Sequence, residues 1–279
     1  MARAGHVPTV RRSLVRRSIL RVLRWILPDA ASTLIDSVAF AAYLATDPRS
    51  FCRYLSLLLE PRGPVKVSLR GLDHAILLRP SSSDALVAFG ALGRRYHLPP
   101  VALEEDATIL DLGANIGLTA ADYASRYPKA TIVAVEMDDE NAAMAVRNTA
   151  TYQDRVTVIH AAAWWEETRL SYTRAAGDEW AFAIAERGDQ EVATVTVLSL
   201  VEQYGPVDFI KMDIEGAERE VLSKNTGWAA AVRSIQVEVH DPYTVEQCER
   251  DLRELGFTPV AHPSNVASVN ATRATAEAG

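Results

Sequence analysis

The chain has 279 residues, of which 48% are hydrophobic and 23% charged, and this excludes a collagen, a repeat array or a wholly disordered protein. The net charge is −7, but residues 1–24 contain seven arginines and no acid, which leaves −14 for the remainder. Because nucleic-acid backbones bind basic surfaces, the acidic body argues against a nucleic-acid partner. Cys52 and Cys248 lie far apart without metal-ligand spacing, so they predict no disulfide framework and fit a reducing cytoplasm.

The first 64 residues predict a helical region. Apolar residues at helical spacing predict an amphipathic helix over 10–27 with an arginine-rich polar face, and two further helices over 30–45 and 49–59. This polar face is either solvated and packed on the acidic body, or a peripheral contact with an anionic membrane near a lipid-linked acceptor. We expect no transmembrane helix and no secretory signal, and therefore a cytoplasmic protein, either free in solution or peripheral on the membrane.

Residues 65–100 predict a small hairpin followed by a cap helix. Two strand-like runs, 65–69 and 75–78, flank a Gly-containing turn. A helix capped at 83 or 84 is predicted to run to about 92. Residues 97–100 predict a linker into the main domain.

Strands and helices alternate over residues 101–271, which indicates a parallel sheet with helices on both faces. The predicted strands of this region are 108–112, 131–135, 156–159, 169–173, 192–197, 207–212 and 234–239. A final hairpin over 257–261 and 266–270 would place one antiparallel strand in the sheet, and residues 272–279 predict a flexible tail. Ligands of such sheets bind at the carboxyl ends of the strands, near the point where the strand order reverses.

The first crossover turn, Gly113-Ala114-Asn115-Ile116-Gly117, follows directly on Asp111 and Leu112. Glycines allow a close backbone approach and a positive φ. A dinucleotide fingerprint is G-x-G-x-x-G and holds a pyrophosphate, whereas the spacing here is G-x-x-x-G and the carboxylate of Asp111 would repel phosphate. The acid instead favours a phosphate-free donor with an ammonium group, S-adenosylmethionine.

Glu136 ends the second strand of the main domain, where an acid can accept hydrogen bonds from both ribose hydroxyls. NAD sites use an acid in the same way. Glu136 therefore indicates a nucleoside without choosing between the two ligands, and an NAD(P)-dependent oxidoreductase stays an alternative, as does a non-catalytic nucleoside-binding module.

Four segments carry a resemblance to a known family: DLGANIG from Asp111, VEMDDEN from Val135, VDFIKMDIEGAEREVL from Val207 and VEVH from Val237. They resemble the FkbM-family methyltransferases, and the resemblance covers about residues 65–270. It implies a Rossmann-like class I methyltransferase fold, with a mostly parallel seven-stranded sheet. It also implies methyl transfer from S-adenosylmethionine to oxygen, commonly a hydroxyl of a sugar or a polyketide-type product.

Carried over by position, the resemblance places the methionine part of the donor at the first crossover turn, the ribose at Glu136 and the adenine near 161–164. The cofactor-binding residues expected are Asp111, Gly113, Ala114, Asn115, Gly117, Glu136, Met137 and Ala162. Two departures stand out, because Ser199 occupies a position where the family usually has an acid, and Met137 one where it usually has proline.

Three further side chains follow neighbouring strands and should meet beside the transferred methyl. Asp213 comes after the predicted strand 207–212, and Glu238 and His240 come at the end of the predicted strand 234–239. His240 is a candidate general base, with Asp213 orienting it or holding the acceptor hydroxyl. The same three residues could instead hold Mg²⁺ and lower the pKa of that hydroxyl.

Structural roles remain open for this group as well. His240 could satisfy a loop carbonyl, and Glu215 and Glu218 could balance the dipole of the helix that they begin. The sequence identifies neither the acceptor, whether a small molecule, a glycan or a lipid-linked compound, nor the oligomeric state.

Overall fold

The computed structural model describes residues 29–59, 61–174, 182–184, 190–263 and 265–273. Contacts divide the chain into two compact units, 1–43 and 44–279. The predicted helix over 10–27 lies outside the described residues, as does most of the predicted tail. The finer domain boundaries proposed from the sequence stay predictions. Among the described helices, none is both long and apolar enough to cross a membrane.

The N-terminal elements match the predicted order of helices and hairpin. They are α1 Asp29–Leu44, α2 Pro48–Ser56 with a 3₁₀ turn Leu57–Leu59, β1 Val65–Val67, β2 Ile76–Leu78, and α3 Asp84–Ala88 with a π-helical turn Phe89–Arg94. Asp47 caps α2 by accepting hydrogen bonds from the backbone N–H groups of Arg49 and Ser50. Strands β1 and β2 pair antiparallel, as the hairpin prediction requires.

Eleven further strands follow among the described residues. They are β3 Thr108–Leu112, β4 Thr131–Glu136, β5 Val156–His160, β6 Ala162–Trp164, β7 Arg169–Arg174, β8 Phe182–Ile184, β9 Gln190–Thr196, β10 Phe209–Met212, β11 Ser234–Glu238, β12 Thr258–Ala261 and β13 Ser268–Thr272. The accompanying α-helices are α4 Leu118–Arg126, α5 Asp139–Thr149, α6 Val197–Tyr204, α7 Glu218–Ser223 and α8 Val245–Glu254.

Seven strands form the main sheet in the order β12-β13-β11-β10-β3-β4-β5. Strand β13 runs antiparallel to both of its neighbours, while the pairs from β11 through β5 are parallel. The fold class is therefore α/β with one antiparallel strand, as predicted. The strand order reverses between β3 and β10, and a ligand is expected at the carboxyl ends of these two strands.

The sheet is buried on both faces, because helices cover it on each side. Strand β10 is buried throughout, and β3 and β4 are buried at all but their first residues. Uninterrupted apolar runs of this kind are typical of central parallel strands. A second, four-stranded sheet has the order β6-β9-β7-β8. Its strands β7 and β9 correspond to the predicted strands 169–173 and 192–197, whereas β6 and β8 were not predicted.

Two local predictions differ from the structure. The strand predicted over 192–197 ends at Thr196, whose side chain accepts from Ser199 N and caps α6, a helix that the sequence pattern did not reveal. The predicted linker at 97–100 is anchored, because the buried His97 donates through Nε2 to Asp122 Oδ2 at 2.9 Å.

Candidate active site

A cavity of about 760 Å³ lies at the carboxyl ends of β3, β4, β10 and β11. Its volume falls within the range of small-molecule sites. Among the residues predicted from the sequence, those that line it are Gly113, Ala114, Asn115, Glu136, Met137, Ala162, Asp213, Glu238 and His240. The structure thus brings residues predicted to bind the methyl donor and residues predicted to take part in methyl transfer to the same cavity.

The first crossover turn approaches the neighbouring strand end very closely. Gly113 has φ +79°, and a Cβ placed there would lie 1.7 Å from the carbonyl oxygen of Asp213. Gly117 also has φ +79°, and its Cβ would lie 2.9 Å from Ala145 Cα on α5. Glycine is therefore required at both ends of the turn, for backbone conformation and for space.

Glu136 is buried and oriented by backbone donors. Its Oε2 accepts from Asn115 N at 2.7 Å, and its Oε1 accepts from Asp138 N at 2.9 Å. Burial raises the pKa of Glu136 to about 7, although both hydrogen bonds lower it. Each carboxylate oxygen has a second lone pair, so the side chain can still accept from a ligand in the cavity.

Asp111 lies behind the turn rather than in the cavity wall. Its carboxylate accepts from Thr119 Oγ1 and lies 3.5 Å from the ammonium group of Lys211. That ammonium group donates to Gly113 O at 3.0 Å and lies 3.2 Å from Asp213 Oδ2. Lys211 therefore pairs with two acids, Asp111 and Asp213.

The ammonium group of Lys211 remains charged in this buried position. Burial lowers its pKa, but the carboxylates of Asp213 and Asp111 outweigh that effect and raise the pKa above the usual value. The charged side chain of Lys211 therefore connects the first crossover turn, at Gly113 O, with Asp213 at the end of β10.

His240 contacts three carboxylates. Its Nδ1 donates to Glu218 Oε1 at 2.8 Å, and its Nε2 lies 3.3 Å from Glu215 Oε2 and 3.8 Å from Asp213 Oδ1. Burial lowers the pKa of His240, but Glu218 and the other acids raise it to about 9 overall. The imidazole is therefore mainly protonated at neutral pH when the cavity holds no ligand.

Glu215 and Glu218 both lie close to His240. The sequence had indicated them only as acids at the start of a helix. Glu218 is fully buried and also accepts from the backbone N–H groups of Ile214 and Gly216. Glu215 has φ +53°, a strained conformation for a non-glycine residue, and lines the cavity. Burial and the charge of Asp213 raise the pKa of Glu215 to about 7.

The structure groups a different set of candidate metal ligands from the set that the sequence predicted. Asp213, Glu215 and His240 each offer one donor atom within 4.8 Å of the others, and Glu238 is not part of this group. Glu238 lines the cavity nearby, where burial and the charge of Asp213 raise its pKa. Glu238 and His240 are two positions apart, but β11 ends at Glu238, so the strand alternation that would place both side chains on one face does not extend to His240.

The opposite wall of the cavity comes from the segment before the main sheet. Leu86, Val87 and Phe89 supply apolar surface there. This segment is connected to α5 through Arg79. The Arg79 side chain donates to both carboxylate oxygens of Asp84 and, through Nη2, to Asn141 Oδ1 on α5 at 2.8 Å.

Comparison with known proteins identifies the family. The model of the methyltransferase FkbM domain matches residues 111–259, more than half of the chain. The chain therefore belongs to the FkbM methyltransferase family. A curated relative, the tRNA1(Val) (adenine(37)-N6)-methyltransferase of Pedobacter heparinus, is 40% identical over 60 residues, which are 21% of this chain and 26% of that protein.

Two solved structures are similar at low identity. The methyltransferase FkbM from Methylobacillus flagellatus is 14% identical, with a TM-score of 0.46 over 86% of this chain and 59% of its own. The fibrillarin pre-rRNA processing protein of Methanococcus jannaschii is 15% identical, with a TM-score of 0.42 over 75% and 87%. The chain thus spans little more than half of that FkbM structure and about a quarter of the curated relative.

Proposed function

We propose that this protein is an S-adenosylmethionine-dependent O-methyltransferase that acts on a hydroxyl group of a small-molecule, sugar or glycolipid acceptor. The observation that carries the proposal is one cavity shared by the glycine turn with Glu136 and by the group of Asp213, Glu215 and His240. The first part suits a nucleoside donor, and the second can bind a hydroxyl and accept its proton.

The residues of the donor side fit S-adenosylmethionine, which when bound would supply an electrophilic methyl on a sulfonium. The buried carboxylate of Glu136 would hold the ribose hydroxyls, and Met137 and Ala162 would flank the adenine. Because the charge of Asp111 is directed at Lys211, we propose that Asp111 positions the turn through Lys211 and Gly113 O. Its direct contact with the donor stays a prediction.

His240 is the proposed general base. Its Nδ1–H is fixed on Glu218, so the other ring nitrogen faces Asp213 and Glu215, and this orientation directs the basic nitrogen into the cavity. Because the pKa is about 9, the acceptor's proton moves to Nε2 most readily in alkaline solution. Asp213 would hold the acceptor hydroxyl.

A divalent metal is the second form of this mechanism, favoured by the grouping of Asp213, Glu215 and His240. In that form His240 is a ligand, and its bond to Glu218 is the usual support of a ligating imidazole. The raised pKa of His240 favours the imidazolium, which must lose its proton before the ring can either bind a metal or act as a base, so activity after chelation decides between the two forms. Full activity after chelation and dialysis would reject the metal, whereas loss restored by Mg²⁺ would establish it.

The donor assignment is tested by calorimetry with S-adenosylmethionine and S-adenosylhomocysteine, with NADH as the competing ligand. We expect binding of the first two and none of NADH. Gly113→Ala should abolish binding, because its Cβ would overlap the carbonyl oxygen of Asp213. Gly63→Ala is the matched control, since a Cβ there meets nothing within 4 Å. Binding of NADH alone would overturn the proposal.

RNA is the acceptor named for the curated relative, but the charge of this chain disfavours it here. The body carries the negative balance of the molecule, and four acids, Glu136, Asp213, Glu215 and Glu238, line the cavity. Methyl incorporation from labelled donor into hydroxylated small molecules, compared with incorporation into total tRNA, distinguishes the two acceptor classes. Labelled tRNA without labelled small molecules would refute the proposed acceptor class.

A further inference from the structure

The helical segment 48–59 presents a basic surface that the candidate active site does not use. Arg49 and Arg53 lie one helical turn apart on the exposed side of α2, and the side chain of Lys66 on β1 is also exposed. Arg53 Nη1 donates to Lys66 O at 3.3 Å, which places the strand beside the helix. We name Arg49, Arg53 and Lys66, with Leu58 and Leu59, the basic face.

Among the described residues, nearby acids leave this charge largely uncompensated, and Glu60, which follows Leu59 in the sequence, lies outside those residues. Among the described residues of 44–70, the only acid is Asp47, and its carboxylate accepts from Arg49 N, Ser50 N and Ser50 Oγ. Within the described part of the chain, no acid lies within ion-pair distance of Arg49, Arg53 or Lys66. The same stretch exposes two more cations, Arg62 and Arg70.

Large apolar side chains extend the same surface. Leu59 is 83% exposed and Leu58 is 41% exposed, and both follow directly on α2 in the 3₁₀ turn. At 3.6 residues per turn, Leu59 lies about 80° from Arg49 and about 120° from Arg53 around the helix axis, so it flanks the two arginines and does not share their stripe. Basic residues beside protruding leucines are the composition of a helix that lies in a lipid–water interface.

We propose that the basic face docks the protein on an anionic lipid surface. Phosphate and carboxylate groups of lipid headgroups would neutralise Arg49, Arg53 and Lys66, and the acyl region would bury Leu59. A nucleic acid would neutralise the same charges but would leave the leucines in water. The arginine-rich segment 1–24 has the same sign of charge and is a poor electrostatic match for this surface.

The docked helix is joined to the wall of the cavity. The buried Tyr54 on α2 donates from its hydroxyl to Ala85 O at 2.7 Å, and α3 carries Leu86 and Val87 into the cavity wall. The lipid surface would therefore bind an element that is fixed to the candidate acceptor site. Docking itself does not depend on the proposed methyl transfer.

The test is co-sedimentation of the full chain with vesicles of phosphatidylcholine alone or with 30 mol% phosphatidylserine (on the order of cytoplasmic-leaflet charge). We expect binding only to the anionic vesicles and a decrease at high salt. Arg49→Glu with Arg53→Glu should weaken this binding by at least about tenfold, since each basic residue near such a surface contributes about fivefold. Leu59→Ser should weaken binding while leaving its salt dependence unchanged.

Three comparisons keep the result decisive. Arg250→Glu with Arg253→Glu makes the same charge change on α8, where Asp251 and Glu249 already pair with these residues, and should bind like the natural chain. Arg49→Glu with Lys66→Glu preserves the Arg53 bond to Lys66 O and should bind as weakly as the first variant. No binding by the natural chain, equal loss in the α8 variant, or binding to single-stranded RNA but not to vesicles would each overturn the proposal.

Discussion

His240 owes its protonation state to the carboxylate that it contacts most closely. Glu218 is fully buried, and its Oε1 accepts the Nδ1–H bond as well as hydrogen bonds from two backbone N–H groups, so its side chain is held in place. A buried carboxylate beside an imidazole stabilises the charged ring and raises its pKa. The residue with the proposed proton-accepting role is thus controlled by one that lies outside the cavity.

Replacing Glu218 should move the pH profile of methyl transfer without removing the base. In the natural chain the rate should rise with pH toward a midpoint near 9, because His240 must be neutral to accept a proton. In Glu218→Gln the midpoint should fall by about 1 to 2 pH units, since the charge-assisted hydrogen bond is lost. Rates of methyl transfer between pH 5.5 and 10 measure this.

Glu249→Gln is the control, because it removes an exposed acid on α8 and should leave the midpoint unchanged. An unshifted midpoint in Glu218→Gln would show that His240 is not the group that titrates.

Sequence reasoning located the lining residues that follow strand ends, but not those contributed by residues 86–96 before the main sheet. It identified Asp213 and His240 for that reason, since neighbouring parallel strands end at one edge. It did not assign Glu215, because the placement of that side chain depends on a positive φ that only the folded turn reveals. Glu218 was missed as a partner of His240 because the two meet across the sheet edge, 22 residues apart in sequence.

At the scale of elements, a partly buried ion pair reinforces the connection between the segment after the N-terminal hairpin and α5, which Asn148 also makes through its two hydrogen bonds to the backbone of Leu77. Asp84, fully buried at the start of α3, accepts from Arg79 N, Nε and Nη2. Arg79 also reaches Asn141 on α5, a cavity residue. The pair therefore holds the apolar wall and the nucleoside side in a fixed relation.

Asp84→Asn should lower the free energy of unfolding by about 1–3 kcal/mol, because Arg79 loses a charged acceptor in a mostly buried position. It should also weaken binding of the donor several-fold through Asn141. Thermal melting and calorimetry with S-adenosylhomocysteine measure the two effects. Glu105→Gln breaks the exposed pair with Lys129 and should change neither. Equal melting of Asp84→Asn and the natural chain would contradict this role.

The order of the elements was predictable from hydrophobic runs and turn residues, and the bounds differ by a few residues at most. Helix α6 was not predicted, because its first turn, Val197-Leu198-Ser199, continues the apolar character of β9 and no glycine or proline separates them. The burial of His97 was not predicted either, because its partner Asp122 lies 25 residues away on α4.

For the whole molecule, the raised pKa values of cavity residues contribute to the pH dependence of stability, and that of Glu238 shifts in the same direction as the three that follow. Glu136 and Glu215 have pKa values near 7 in the folded chain, and His240 has one near 9. Each value exceeds that of the unfolded chain, so the folded state binds protons more strongly. The stability that these protons contribute is complete below about pH 4.5 for the acids and below about 6.5 for His240. It is lost as the pH rises through the folded values.

The melting temperature of the ligand-free protein should therefore fall as the pH rises from 5.5 to 9.5. The lowered pKa of Asp122 changes the stability only in more acidic solution, so it does not oppose this trend. Glu215→Gln should flatten the part of the curve between pH 5.5 and 7.5, because one of the three groups no longer titrates. A melting temperature that increases across this interval would be incompatible with the protonation states assigned to the cavity.

The placement of β13 governs the order in which the sheet can be completed during synthesis. Strand β12 pairs with β13 and has no other neighbour in the main sheet, so it cannot join the sheet before β13 has been inserted beside β11. A ribosome-bound chain that has not yet exposed Ser268 can assemble five of the seven strands, and the edge of β11 stays open. That open edge is the surface on which a chaperone would act, or on which two nascent chains could pair wrongly.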